Sequence, residues 1–474
     1  MKVEQIYTGC LAEAAYYIES NGEAAIIDPL RETRPYLEKA ERNKAKIKYI
    51  FETHFHADFV SGHIDLSKKT GATIVFGPTA MPGYNAYVAK DNEELQLGNV
   101  TIKVLHTPGH TMESTTYLLI DEKGKEYAIF SGDTLFIGDV GRPDLVQKLK
   151  AEITPQILAG YLYDSLRNKI MTLPDDVIVY PGHGAGSACG KNMSKETVDT
   201  LGHQKQVNYA LREDMTKEEF IKAVTDGLVE PPQYFPFNVL MNLKGGLESI
   251  DEIIAKGKRP LTAREFQAVW ESLESLVIDT RSKEAFAAEH IPGSIYIGID
   301  DNFAPWVGTL VTNLKQPILF IADPGREEEV VIRLSRVGYD NTVGFLQGGL
   351  QAWKEAGFPV DLLKEISAKD FDVLYEMDNL HINLLDARRK SEFDSEHLVG
   401  AVNFPLDFIN QNMSQLDRHK KYYIHCAGGY RSVIMCSILK SRGFDKLVNI
   451  KGGYKMLSQT GLQKTKYVAP TTML

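Results

Sequence analysis

The sequence predicts an α/β protein in which an N-terminal α/β sandwich is followed by two smaller α/β domains with parallel sheets. Its 474 residues correspond to about three domains if a domain takes roughly 150 residues. Short apolar strands alternate with turns and helices along the chain, which is the pattern of α/β domains. A motif that occurs twice in the C-terminal part divides that part into two similar units.

An internal repeat defines the two C-terminal domains. An Asp-x-Arg motif followed by His-x-x-Gly occurs twice at a constant offset of 107 positions, as Asp279-Thr-Arg281 with His290-Ile-Pro-Gly293 and as Asp386-Ala-Arg388 with His397-Leu-Val-Gly400. Each copy is preceded by a hydroxyl residue with an acid three positions later, a pattern typical of helix N-termini, at Thr262 with Glu265 and at Ser367 with Asp370. We therefore expect domains with parallel sheets over residues 256–362 and 363–474.

Residues 1–255 show a different order of elements and are expected to form the sandwich. Short strands followed by turns rich in Gly or His are predicted at Ala24–Asp28, Ile47–Phe51, Thr73–Phe76, Val100–Leu105 and Tyr127–Ser131. This order gathers the polar turns along one edge of the domain. The boundary is predicted at Lys256–Pro260, because that stretch is basic and contains Gly and Pro.

The composition excludes several classes of function. The formal net charge is -10 and the isoelectric point is about 5.7, so a nucleic-acid partner, which needs clustered Lys and Arg, is not expected. No stretch approaches the roughly 20 apolar residues of a membrane-spanning helix, and Met1–Ala12 lacks the pattern of a signal peptide. The cysteines show no disulfide spacing, which favours a reducing compartment, and we expect the cytoplasm; they are Cys10, Cys189, Cys426 and Cys436.

Side chains of the metal-ligand type follow several of the predicted strands. His54, His56 and Asp58 are spaced two residues apart and can point to one side of an extended chain. Three more each follow an apolar strand and lie beside a glycine: His110, Asp133 and His183. Such residues also occur as turn and capping residues. Their position at separate strand ends of one domain favours a metal site.

These residues resemble the metallo-β-lactamase superfamily, in which a His-x-His-x-Asp-His cluster and later ligands meet at the edge of an αββα sandwich. The resemblance implies that fold for the N-terminal domain. One position differs, because the last His of the cluster is Phe59 here and cannot bind a metal. Dinuclear zinc hydrolases of the superfamily need that His for their second ion, so Phe59 argues for a single ion.

Within the superfamily, the stretch Ser131–Leu145 resembles the persulfide dioxygenase branch rather than the glyoxalase II branch. That resemblance implies one Fe(II) per chain bound by His54, His110 and Asp133, with zinc as a possible ion in the purified protein. Three protein ligands leave positions open for dioxygen and a persulfide sulfur, and iron, unlike zinc, can exchange electrons with oxygen. Water, oxygen and the ligands would be oriented by three neighbouring residues: His56, Asp58 and His183.

Two further residues of this domain each have two interpretations. Arg142 could hold an anionic substrate, and the alternative is that it pairs with Asp139 or Asp144. Cys189 follows the last motif His and could line the mouth of the site, with close packing among small residues as the alternative.

A cysteine-containing loop follows a strand of the second repeat. Cys426 lies between the apolar strand Tyr422–His425 and the predicted helix Val433–Lys440, where backbone N–H groups and a helix N-terminus favour the thiolate. A buried structural cysteine is the alternative. The loop resembles that of the rhodanese family, which implies that Cys426 carries a persulfide and that Arg431 faces a bound oxyanion. It also implies substrate binding by the intervening residues: Ala427, Gly428, Gly429 and Tyr430.

The first repeat lacks such a thiol. Its corresponding stretch, Ile321–Glu327, contains no Cys, and the acidic run Glu327–Glu329 replaces the end of the loop that bears Arg. This copy resembles the inactive rhodanese-like module of fused sulfurtransferases, and its expected role is to pack between the two catalytic domains. Cys436 lies within an apolar helix and is expected in the core.

Together these resemblances imply an enzyme, a persulfide dioxygenase fused to a sulfurtransferase. Its expected small-molecule partners are a thiol persulfide, dioxygen, sulfite and thiosulfate, and because members of the family often associate, a homo-oligomer is possible. A zinc hydrolase of glyoxalase II type is one alternative, which Phe59 disfavours. A non-enzymatic persulfide carrier is the other, and it leaves the candidate ligands His54, His110 and Asp133 without a role.

Overall fold

The computed structural model of the chain describes residues 1–145 and 152–469. They form two compact units, which are Met1–Ile250 with Ser335–Gly338, and Asp251–Leu334 with Tyr339–Leu474. The predicted division of the chain at residues 255 and 362 stays a prediction. Of the helices within the described ranges, none has the length and apolar character needed to cross a bilayer.

The first unit contains two six-stranded sheets in which each strand pairs with its neighbour in the chain. The first sheet consists of β1 (Lys2–Thr8), β2 (Glu13–Ser20), β3 (Glu23–Ile27), β4 (Lys46–Phe51), β5 (Thr73–Phe76) and β6 (Tyr87–Val88). The second sheet consists of β7 (Glu94–Leu97), β8 (Val100–His106), β9 (Thr115–Ile120), β10 (Glu126–Gly132), β11 (Ile178–Pro181) and β12 (Asp199–Thr200).

The two sheets pack face to face because their strands carry apolar side chains on both faces. On β2, Tyr16 and Ile18 point into the core between the sheets, while Tyr17 points to the opposite face. Helices cover both outer faces, with α1 (Arg34–Asn43) and α2 (His63–Thr70) on the first sheet, and α3 (Pro155–Ser165), α4 (Leu201–Val207) and α5 (Lys217–Thr225) on the second. The layers are helix, sheet, sheet and helix, as predicted.

All five predicted strands are present, and no strand end differs from its prediction by more than one residue. Strand β3 ends at Ile27 because Asp28 adopts a left-handed conformation, with a φ of 50°. At the end of β10, Gly132 has a φ of 49°, and a Cβ there would lie 2.6 Å from Thr53 Cβ. Glycine therefore lets the strand ends of the two sheets approach each other at this edge.

The second unit contains two five-stranded sheets in which neighbouring strands are parallel. The first sheet consists of β13 (Pro260–Leu261), β14 (Leu276–Asp279), β15 (Ile295–Tyr296), β16 (Ile318–Ile321) and β17 (Thr342–Leu346). The second consists of β18 (Glu365–Ile366), β19 (Asn383–Asp386), β20 (Val402–Asn403), β21 (Tyr422–His425) and β22 (Leu447–Ile450). Their spatial orders, β13-β17-β16-β14-β15 and β18-β22-β21-β19-β20, are equivalent, so the sequence repeat is also a structural repeat.

Twelve further α-helices lie in the described ranges. One packs beside the first sheet, α6 (Phe235–Lys244), and α7 (Ile250–Gly257) begins at the last residue of the first unit. The first repeat contains α8 (Ala263–Leu273), α9 (Lys283–Ala288), α10 (Phe303–Leu310), α11 (Glu327–Ser335) and α12 (Gly349–Glu355). The second contains α13 (Ala368–Asp378), α14 (Lys390–Ser395), α15 (Ile409–Asn412), α16 (Tyr430–Ser441) and α17 (Gly453–Leu457).

The repeated motifs stabilise the same turn in both copies. Arg281 binds the carboxylate of Asp279 at 2.6 Å, and His290 stacks on Phe286 with ring centroids 4.0 Å apart. Both contacts recur at the equivalent positions of the second copy. These motifs therefore serve the packing of each domain.

The helix-start signal of the first repeat gives a test of local stability. Thr262 accepts the backbone N–H of Glu265, and the Glu265 carboxylate accepts the backbone N–H of Thr262 at 2.9 Å. Thr262→Ala should lower the free energy of unfolding by about 1 kcal/mol, because it leaves a helix N–H without an acceptor. Urea denaturation measures the change, and Thr262→Ser should retain the wild-type midpoint. Equal midpoints for the Ala and Ser variants would contradict the role of this cap.

Candidate functional site

His54 lies just beyond the end of β4, and Thr53 holds its ring. The Thr53 hydroxyl donates to Asp28 Oδ2 at 2.8 Å, and its backbone N–H donates to Asp28 Oδ1 at 2.7 Å. Because the hydroxyl proton is used in this way, Thr53 Oγ1 accepts from His54 Nδ1, which lies 3.0 Å away. His54 Nε2 is then unprotonated and can act as a metal ligand.

His110 and Asp133 approach His54 from the second sheet. His110 follows β8, and its Nδ1 donates to the backbone oxygen of Arg142 at 2.8 Å, which again leaves Nε2 as the acceptor. Asp133 comes directly after β10. Gly141 permits this close packing, since a Cβ at that position would lie 2.0 Å from the backbone oxygen of Asp133.

The three side chains meet around one point. Asp133 Oδ2 lies 3.4 Å from His110 Nε2 and 4.0 Å from His54 Nε2. All three side chains are buried, and neither Asp133 oxygen accepts a hydrogen bond from a nitrogen or oxygen donor in residues 1–145 or 152–469. Burial, together with neighbouring imidazoles, lowers the pKa of His54, which favours the neutral ring. A buried carboxylate beside two imidazole acceptors fits a divalent cation.

Three of the residues expected around the metal form a second group. Ligand atoms of Asp58, His183 and Cys189 lie within 4.8 Å of one another. His183 Nε2 lies 3.5 Å from Asp58 Oδ2 and 3.6 Å from Asp133 Oδ1, so the group adjoins the first one. Burial raises the pKa of the Cys189 thiol well above its usual range. Because these residue types also bind metals, the expectation of one ion per chain stays a prediction.

His56 belongs to a third buried group. Its Nε2 lies 3.0 Å from Asp28 Oδ1 and 3.6 Å from Glu52 Oε2, and its ring stacks on Phe59 with centroids 4.2 Å apart. Burial lowers the pKa of His56, but the two carboxylates outweigh burial and raise that pKa to about 9. Asp28 therefore connects a protonated His56 to Thr53, which holds the His54 ring.

Three carboxylates near the site were missed by the sequence reasoning. Asp28 and Glu52 come directly after β3 and β4, the same position relative to a buried strand that identified Asp133. Glu13 begins β2, and burial raises its pKa well above its usual range. A search for acids at every strand end would have found the first two.

Arg142 has its guanidinium engaged within the protein. Its Nε and Nη2 donate to Asp144 at 2.6 and 2.7 Å, and Nη1 donates to the backbone oxygen of Ala188 at 3.2 Å. Its backbone accepts from His110 and donates to the backbone oxygen of Cys189 at 2.9 Å. The structure thus shows the pairing with Asp144, while substrate binding by Arg142 stays a prediction.

In the second unit, Cys426 lies directly after β21 and before α16, which begins three residues earlier than predicted. The backbone N–H of Gly429 donates to Cys426 Sγ at 3.1 Å, and Ser432 Oγ lies 3.6 Å from the same sulfur. Gly429 has a φ of 102°, which residues with side chains rarely adopt. The turn therefore directs a backbone donor at the sulfur, while the preference of this site for the thiolate stays a prediction.

Arg431 lies on the first turn of α16 and forms an ion pair. Its Nη1 and Nη2 donate to the two carboxylate oxygens of Glu392 at 2.6 and 2.8 Å. The predicted contact of Arg431 with a bound oxyanion stays a prediction.

The other loop residues contact neighbouring backbone. The Tyr430 hydroxyl donates to the backbone oxygen of Gly298, in the first repeat, at 3.0 Å. The Ala427 oxygen accepts the N–H of Lys455 at 3.0 Å, and a Cβ added at Gly428 would meet open space. Substrate binding by these residues stays a prediction.

Two expectations for the rest of the second unit concern its core and the first repeat. Cys436 is fully buried on α16, and burial raises the pKa of its thiol. In the first repeat, the turn after β16 holds Arg326 rather than a thiol, and Arg326 pairs with Asp300 at 2.6 Å and with Glu329 at 2.8 Å. Arg326 of that turn is therefore engaged in ion pairs within the first repeat.

Comparison with protein families assigns both units. Residues 8–183 match the metallo-beta-lactamase superfamily, and residues 262–356 and 367–460 each match the rhodanese-like domain. The first match covers most of the two sheets of the sandwich, as far as His183, and the others cover four of the five strands of each parallel sheet.

Individual relatives agree with this assignment. A probable hydroxyacylglutathione hydrolase of Schizosaccharomyces pombe is 32% identical over 183 residues, which are 38% of this chain and 66% of that protein. The human mitochondrial persulfide dioxygenase ETHE1 is 28% identical over 229 residues, which are 48% of this chain and 81% of that protein. The structure of a metallo-beta-lactamase from Staphylococcus aureus is similar at a TM-score of 0.63 and 33% identity, over 73% of this chain and 98% of that chain.

The matches to the first hydrolase relatives span slightly less than two thirds of their length, 66% for the yeast protein and 65% for a cytoplasmic hydroxyacylglutathione hydrolase of Arabidopsis thaliana. The persulfide dioxygenase matches over a larger share of its length. The chain therefore belongs to the metallo-β-lactamase superfamily, in the group that joins this domain to two rhodanese-like domains and has persulfide dioxygenase homologues.

Proposed function

We propose that the chain is a non-haem iron persulfide dioxygenase that oxidises a low-molecular-weight thiol persulfide to sulfite, and that its Cys426 site forms thiosulfate. The observation that carries the proposal is the buried set of His54, His110 and Asp133, in which two imidazole acceptors lie beside a buried carboxylate. Similarity to a persulfide dioxygenase over 81% of that protein supports it. The proposed compartment is the cytoplasm, although the human relative is named mitochondrial.

The proposed oxidation converts a persulfide, dioxygen and water into the free thiol, sulfite and two protons. Bound to the two histidines and the aspartate, Fe(II) would supply the redox chemistry that couples dioxygen to the persulfide sulfur. The protein's own part is to hold both Nε2 atoms in place, through Thr53 on one side and the Arg142 backbone on the other. Burial of these side chains keeps bulk water from the reacting sulfur.

The proposed second step moves sulfur through Cys426. Sulfite attacks the outer sulfur of a Cys426 persulfide, a new S–S bond forms, and the bond to Sγ breaks with its electron pair left on Sγ. Thiosulfate is released and the thiolate is regenerated, so no oxidant is consumed. The Gly429 N–H, 3.1 Å from Sγ, stabilises that thiolate. The same groups serve the reverse transfer.

A zinc-dependent thioester hydrolase is the second candidate. The 32% identity to a probable hydroxyacylglutathione hydrolase favours it, as does the second ligand-type group of Asp58, His183 and Cys189. Against it stands Phe59, which occupies the position of a second-ion ligand and stacks on His56. The metal content and the substrate distinguish the two candidates.

Metal analysis of protein purified without oxygen should find about one equivalent of iron per chain. The same preparation should consume dioxygen with glutathione persulfide and release sulfite, while Asp133→Ala should lose both iron and oxygen uptake because it removes the only carboxylate of the set. Two equivalents of zinc with cleavage of S-lactoylglutathione would establish the hydrolase instead.

Thr53→Val should weaken metal binding by about 10- to 100-fold, since it removes the hydroxyl that connects Asp28 to His54 Nδ1. Competition with a chelator measures the affinity, and the urea midpoint checks that the variant is folded. Thr53→Ser keeps the hydroxyl and should bind metal as the wild type does. Equal affinity in the Val and Ser variants would show that the His54 ring is oriented by other contacts.

Cys426→Ser should abolish thiosulfate formation from persulfide and sulfite while leaving oxygen uptake unchanged. The reason is that serine cannot carry sulfane sulfur, whereas the metal ligands belong to a different unit. Thiosulfate and oxygen are measured in the same reaction, with Cys436→Ser as the matched control. Loss of both activities would contradict this division of the chemistry.

A further inference from the structure

The first repeat, which has no thiol of its own, forms part of the surroundings of the Cys426 loop. Besides the bond from the Tyr430 hydroxyl to Gly298, the Tyr296 backbone N–H donates to Ser437 Oγ on α16 at 2.9 Å. The rings of Tyr296 and Tyr430 meet edge to face, with centroids 5.8 Å apart. The helix that follows Cys426 is therefore held against β15 of the first repeat.

One cationic side chain of the first repeat extends over the loop itself. Lys283 is the first residue of α9, and a Cβ built at Gly429 would lie 3.7 Å from Lys283 Cε and 4.0 Å from its Cδ. Gly429 is also the residue whose N–H donates to Cys426 Sγ. Adding the intervening bonds places Lys283 Cε no more than about 10 Å from that sulfur. Rotation of the terminal bond can bring the ammonium group closer.

The ion pairs around the loop leave the charge of Lys283 more available to an incoming anion than the charge of Arg431. Arg431 is held by a two-point pair with Glu392 and is 16% exposed. Lys283 is 38% exposed, and its partner Glu284, at 3.2 Å, is 73% exposed, so that the pair is weak in water. Asp301 is a second neighbour, where burial raises the carboxyl pKa and the charge of Lys283 opposes this effect.

We propose that Lys283 of the first repeat is a substrate-binding residue of the Cys426 site, where it attracts dianionic sulfur oxyanions of the sulfite and thiosulfate class. This inference rests on the proposed function of Cys426 as a sulfur carrier. The degenerate repeat then has a chemical role in addition to packing. It supplies a cation to a loop whose own arginine is engaged by a carboxylate.

The charge balance of the transfer explains why a cation is needed there. A persulfide anion on Cys426 reacts with dianionic sulfite to give the Cys426 thiolate and dianionic thiosulfate. Three negative charges are thus gathered at the moment of attack, when the outer sulfur forms a bond to the sulfite sulfur and loses its bond to Cys426 Sγ. A nearby ammonium group offsets the repulsion between the reactants, and it has little to offset when the sulfur acceptor is uncharged.

Lys283→Gln tests the inference in the full chain by comparing two acceptors with the same donor, glutathione persulfide. With sulfite, kcat/KM for thiosulfate formation should fall about 10-fold, mainly through a higher KM, because a charge-assisted contact is lost. With dithiothreitol, an uncharged dithiol, kcat/KM for sulfide release should stay within about twofold of the wild-type value, since this acceptor does not bring the dianionic charge that sulfite brings. Lys283→Arg keeps the charge and should recover most of the activity with sulfite.

Lys315→Gln provides a control with the same change of charge. Lys315 precedes β16, whereas Lys283 follows β14. Because these strands are parallel, the two residues lie at opposite ends of the strands. An equal loss with sulfite and with dithiothreitol would show a structural role for Lys283 and overturn the inference, as would an unchanged KM for sulfite. A wild-type chain that transfers no sulfur to sulfite would overturn the proposed function of Cys426 itself.

Discussion

Asp133 carries a carboxylate that is buried where the two sheets of the first unit meet, and a buried charge without a partner is strongly destabilising. Two imidazoles lie close to it, with His110 Nε2 at 3.4 Å and His183 Nε2 at 3.6 Å. A divalent cation would stabilise this arrangement, because it compensates the charge and accepts the imidazole lone pairs. Gly132 and Gly141 permit the close packing that brings the ligands together at this edge, since a Cβ at either position would clash with neighbouring atoms.

The two histidine ligands are each held by polar contacts with neighbouring residues. Asp28 receives two hydrogen bonds from Thr53 and lies 3.0 Å from His56, whose raised pKa keeps it protonated. On the other side, the backbone of Arg142 joins His110 to the loop of Cys189. Residues with no contact to a substrate are therefore expected to control how well the metal is held.

The two rhodanese-like copies share the residues that pack each domain but differ in the residue that would react. Both keep the Asp-Arg pair and the stacked Phe and His, which stabilise the turn after the first long strand of each sheet. Only the second keeps a cysteine after its central strand. The first copy has no thiol at that position, but it contacts the loop of the second copy through Tyr296 and Lys283.

The sequence by itself determined several of the strands, the repeat, the candidate ligands at strand ends and the loop of Cys426. These features depend on alternation of apolar residues and on short contiguous motifs, which are visible along the chain. Only the tertiary structure decided that Asp28 supports His54, that Arg142 pairs with Asp144, and that Lys283 lies over Gly429. The contacts of Asp28 and Lys283 join residues far apart in the chain. The choice between two nearby acids for Arg142 depends on how the loop folds. For these reasons no local pattern of residues predicts the three contacts.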